Sequence, residues 1–129
     1  MIEDVIFLLG RIIFGFTIAF FGLNHFMNIE QMKGYAEFKG VPAPKLAVIG
    51  TGLLLVIGGL SIASGIYPLV GIIALVVFFA GVTPIMHDFW NADAESKQNE
   101  MIQFLKNLAL LGATLMFAFT LPISWPFAL

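Results

Sequence analysis

The chain has 129 residues, of which 60% are hydrophobic and 11% charged, with a mean hydropathy of +0.99. Such a balance lies well beyond ordinary globular domains and describes a protein whose apolar surface is covered by lipid and by helix-helix contact. The absence of cysteine excludes disulfides, thiolate nucleophiles and cysteine-ligated zinc or iron-sulfur clusters, so any redox chemistry depends on a borrowed cofactor. A net charge of -2 without a basic tract leaves no footprint for nucleic acid.

These features predict an all-α, four-helix membrane bundle forming a single domain over residues 1–129. The first apolar run, residues 5–26, carries one charge, Arg11. At about 1.5 Å per residue it crosses a hydrocarbon core of roughly 30 Å. The acidic start, Met1-Ile2-Glu3-Asp4, is unlike the basic n-region of a cleaved signal peptide, so this run is expected to remain as a span. From Leu46 to Met86 no residue is charged, and one helix of that length would be roughly 60 Å, twice the core. The stretch "SGIYP" divides it, because Gly65 suits a helix C-terminus and Pro68 a first turn. Spans two and three are therefore residues 44–64 and 68–88. The fourth, residues 100–121, follows the polar "NADAESKQNE" and closes at Pro122, with Trp125 expected at a membrane interface.

Between spans one and two, Ile29, Met32, Tyr35 and Ala36 are spaced to share one face of a short amphipathic helix lying in the interface. Lys33, Lys39 and Lys45 fall in or beside this first connection and Lys97 in the third, whereas the second connection and the C-terminus hold no basic residue. Connections one and three are accordingly expected on the cytoplasmic side of a plasma (inner) membrane, with both termini outside.

This topology gathers the unusual polar residues toward one end: Asn24 and His25 close span one, His87 and Asp88 close span three, and Lys106 with Asn107 lies about two turns into span four. On span one, Arg11, Gly15, Gly22 and His25 share one helix face at about 100° per residue. Such a stripe reads either as the lining of a ligand cavity or as a tight seam with another helix. Pro84 removes a backbone donor just before His87 and is expected to bend the end of span three, and Trp90 reads as an aromatic anchor. Haem or metal ligation by His25 and His87 has the thinnest support. Neither has a second ligand at helical spacing, and Asp88 beside His87 points about 100° away.

The ordered features "LLGRIIFGFTIAFFGLNHFMN", "GVPAPKL", the glycine-rich second span, "HDFW" and "MIQFLKNLALLGATLMF" together resemble the DoxX family of small four-helix membrane proteins across nearly the whole chain. Arg11, residues 22–26, residues 40–46 and Lys106-Asn107 carry the most specific part of the likeness. The resemblance implies a left-handed bundle with a cavity, acting as the membrane part of an oxidoreductase assembly that delivers electrons to quinone.

His25, His87, Asn24, Asn107, Arg11 and Lys106 are suitable donors for quinone carbonyls, while an anionic substrate would favour Arg11 and Lys106. No catalytic residue is assigned, and a soluble or membrane partner is implied for any redox role. Two other readings stand beside it: an assembly factor that holds membrane proteins through glycine seams, and a small transporter, which with four spans would need a homo-oligomer.

Overall fold

The computed structural model describes all 129 residues. It consists of four long helices, α1 (Ile2–Met27), α3 (Pro44–Ser64), α4 (Pro68–Met86) and α5 (Lys97–Phe119), with a short helix α2 (Ile29–Phe38) after α1 and a 3-10 turn at Phe89–Asn91. All four long helices are long and apolar enough to cross a membrane. The boundaries differ from the sequence expectation by a few residues. Glu3 and Asp4 favour the helix N-terminus, and α1 starts there. Asp93 accepts the Ser96 N–H (2.8 Å), so α5 begins at Lys97 rather than at residue 100. Gly65 ends α3 with φ 79°, the left-handed conformation that glycine adopts without strain, and Pro68 opens α4.

Helix α1 packs chiefly along α3, through glycines. A Cβ placed on Gly15 would lie 2.7 Å from Ala63 N, and one on Gly22 2.7 Å from a methyl of Val56. On the opposite helix, a Cβ on Gly59 would meet Ala19 N at 2.6 Å and one on Gly52 would meet His25 Cβ at 2.9 Å. Missing side chains thus let two backbones approach closely, and dispersion contacts hold a pair that lipid would otherwise solvate equally well. Gly58 and Gly71 serve the α3–α4 contact in the same way, with Leu75 and Ser61 filling the space. The core runs through Ile18, Leu55, Ile62, Ile72, Leu75, Phe78 and Phe79.

Helix α5 packs on α4, and only 11% of its apolar window is buried, against 44% for α3. Its inward face carries Glu100, Asn107 and Thr114, all buried. A spacing of seven keeps them within a narrow sector. Residues 120–129 turn back over this end of the bundle, with Leu129 N–H bonded to Ser64 O (2.9 Å). Trp125 is consequently buried, at 7% exposure, and packs inside the protein. Its ring meets Phe7 edge-on at 5.4 Å and its Nε1–H donates to Thr120 Oγ1 (3.0 Å). Trp90 is 52% exposed, as suits an anchor.

Candidate functional site

Of the nine residues singled out in the sequence, three lie in a helix seam, three line a pocket and three lie outside both. Arg11, Gly15 and Gly22 lie in the α1–α3 seam, so for these three the helix-packing alternative is the one the structure adopts. Arg11 is fully buried, with Nε donating to Ile62 O (3.2 Å), Nη2 to Ala63 O (3.2 Å) and Nη1 to Pro126 O. Ile62 and Ala63 lie in the last turn of α3, whose carbonyls lack intrahelical donors and form the negative end of the helix dipole. A cation there needs no carboxylate. The Phe7 and Trp125 rings, 5.7 and 5.3 Å from its guanidinium carbon, complete its surroundings.

Toward the other end of the bundle, His25, His87 and Asn107 line one pocket of about 460 Å³ between α3 and α4, roofed by Met32, Tyr35 and Ala36 of α2. Twelve of its seventeen lining residues are hydrophobic, which makes the polar ones conspicuous. Val77 and Ile85, on its α4 wall, are 54% and 53% exposed, so the pocket is a slot opening sideways onto the lipid-facing surface. Thr51 is satisfied by Ala47 O (2.8 Å). His25 Nδ1 lies 2.9 Å from Phe21 O. A carbonyl only accepts, so Nδ1 carries the proton and Nε2 is left for another partner. Asn107 is 6% exposed, lines the slot, and its amide makes no hydrogen bond within the chain. The one side-chain polar atom that is both fully buried and without a partner is Thr83 Oγ1 on α4; the Asn107 amide keeps access to the slot and is positioned for a partner there. Pro84 lies within α4, which continues to Met86, and His87 N–H bonds Thr83 O (2.9 Å) beyond it.

The remaining three candidates stand apart from the slot. Asn24 accepts from Asn28 Nδ2 (2.7 Å) at a shallow amide-lined groove formed with Gln31. Lys106 is exposed, donates to Gln103 Oε1 (2.9 Å) and lies over the Phe21 ring at 5.1 Å. Asp88 pairs with Lys39 (2.6 Å).

That last contact leads to residues the sequence did not flag. Lys39 Nζ also meets Glu100 Oε2 (2.8 Å), and Glu100 Oε1 lies 3.4 Å from His87 Nδ1. Glu100 is only 6% exposed at its side chain. Lys39 thus ties the end of α2 to both α5 and the end of α4, while Tyr35 Oη donates to Met86 O (3.2 Å). Burial works against the charge on Lys39, but hydrogen bonds to Asp88 and Glu100 outweigh it and raise its pKa. Partial burial, then the nearby Glu100 carboxylate, push the Tyr35 phenol up to about 12. Both therefore keep their protons near neutrality. The seven-residue spacing of Glu100, Asn107 and Thr114 was the available signal for an inward polar face on α5.

The DoxX family model matches residues 6–88, about two thirds of the chain, a range that takes in the arginine of the seam and ends on the histidine and aspartate just after α4. The chain belongs to the DoxX family. Inner membrane protein YphA of Escherichia coli (strain K12) is 27% identical over 120 residues, covering 93% of this chain and 86% of the relative. No solved structure matches at a significant level. Together, family and architecture make this a multi-pass membrane protein. The DoxX match takes in His25, His87 and the α2 roof and stops before α5, so Glu100 and Asn107 come from beyond the matched region.

Proposed function

We propose that this protein is the membrane subunit of an oxidoreductase complex and that the slot between α3 and α4 accepts the head of a quinone-type amphiphile from the bilayer. The unpaired Asn107 amide, buried at the wall of an otherwise apolar slot, is the observation that carries this reading. A quinone offers what that wall lacks, a hydrogen-bonding carbonyl on an apolar ring. The volume of about 460 Å³ falls within the range usual for small-molecule pockets, roughly 300–1,000 Å³. A neutral ligand fits better than an anion, since Arg11 is engaged by carbonyls and Lys106 lies outside the slot. The chain has no cysteine to relay electrons, so they would come from a partner protein. The name of the Escherichia coli relative and the lysine distribution support an inner-membrane location with the first and third connections cytoplasmic.

The experiment is binding of a short-chain ubiquinone to the purified protein, compared with Asn107→Leu. Binding should weaken by about tenfold or more, while thermal stability without ligand should be kept, because the amide makes no hydrogen bond within the chain and the slot wall around it is apolar. Binding unchanged in Asn107→Leu, or no binding by the parent protein, would sink the reading.

A further inference from the structure

The slot has a charged back door. His87 forms part of its wall, and behind His87 lies a buried carboxylate that meets groups from two other segments, the α2 region and the end of α4. Glu100 uses one oxygen for His87 Nδ1 and the other for Lys39 Nζ, and Lys39 continues to Asp88 at the surface. With the Glu100 carboxylate ionised by Lys39, the nitrogen facing it must hold a proton, leaving His87 Nε2 as the atom free for a ligand. In the neutral ring that atom only accepts, and in the imidazolium it donates. The carbonyl oxygen of a quinone can only accept, so of the two forms of this ring only the protonated one bonds to it.

We propose that Glu100 and Lys39 are positioning residues that set the proton occupancy of His87, making ligand binding in the slot proton-linked. This rests on the slot being a quinone-type site, and deepens that reading. The charged and titratable groups around His87 are Glu100 and Lys106 on α5, Lys39 and Tyr35 from the α2 region, and its neighbour Asp88. Burial opposes the imidazolium most, Glu100 favours it, and Lys106 and Lys39 oppose it. His25, the other imidazole of the slot, faces a backbone carbonyl and the edge of Phe78 (6.1 Å). It is therefore indifferent to substitutions at residues 39 and 100.

Equilibrium dialysis of a short-chain ubiquinone against detergent-solubilised full-length protein, from about pH 5 to 9, tests this. Affinity should fall as pH rises through the titration of His87. Glu100→Gln should move the midpoint down by about one pH unit, and Lys39→Met should move it up by a smaller amount. His87→Gln should abolish the response in that window. A merely structural role would weaken binding in both charge variants without moving their midpoints in opposite directions. Should Glu100→Gln not fold, the Lys39→Met and His87→Gln profiles decide. Binding with superimposable profiles overturns the proton linkage and leaves the quinone site standing; no binding by the parent protein at any pH overturns both.

Discussion

Arg11 carries a full charge in a place where no carboxylate meets it. Carbonyls at the end of α3, the Pro126 carbonyl and two aromatic rings do the work of solvent. Such a planar fork of donors cannot be copied by an ammonium, so Arg11→Lys should behave more like Arg11→Leu than like the parent protein. Either change leaves buried carbonyls with fewer donors, at about 1–3 kcal/mol. It also frees the segment that holds Trp125. Limited proteolysis should cut residues 120–129 faster in both variants, and equal cutting rates would show that the tail is held by other contacts. The sequence made Arg11 conspicuous as a lone charge in a span, but its partners were illegible. They are backbone atoms, and one arrives from 115 residues away. Lys39 and Glu100 were hidden for a related reason, because two ordinary charges 61 residues apart, one after α2 and one in the first turn of α5, carry no local mark of their pairing.

At the scale of elements, periodicity and composition were sufficient for the spans, the amphipathic α2 and the breaks at Gly65 and Pro68. Each rests on local chemistry: apolar length, helical spacing, a left-handed cap. The seam was only half legible. Glycines at Gly15 and Gly22 announced a close approach without naming the partner, whereas the structure supplies Gly52, Gly59 and Ala63 of α3. Other glycines lie in open space, and at Gly112 a Cβ would meet nothing within 4 Å. Opposite signs follow. Gly15→Ala should destabilise the protein by about 1–3 kcal/mol through overpacking, and Gly112→Ala should be neutral or gain up to about 1 kcal/mol from helix propensity. Thermal unfolding in one detergent checks both, and a stabilised Gly15→Ala would refute the seam.

For the molecule as a whole, the charge distribution sets the orientation to be tested. With no cysteine in the chain, single substitutions can be labelled without background. Lys33→Cys should react with a membrane-impermeant maleimide only after the cytoplasmic side is exposed. Tyr67→Cys, in the connection after Gly65, should react in intact cells. The reverse pattern would invert the bundle and place the roof of the slot outside. The convergence of His25, His87 and Asn107 at one end was readable from the spans because depth follows from position along each helix. Their distinction from Asn24, Asp88 and Lys106 was not readable, since it depends on which way each helix is rotated.

The sparse burial of α5 bears on how the protein is made. The first three spanning helices share the seams and most of the core, and are synthesised first. The last contributes few buried residues, yet it brings both Asn107 and Glu100. Until translation is nearly complete the slot has its two imidazoles but no amide on its wall and no carboxylate behind His87. Docking of the final span supplies both groups. The tail that follows then fastens the end of the chain to the arginine of its first helix, so that closing the fold and finishing the site are a single event.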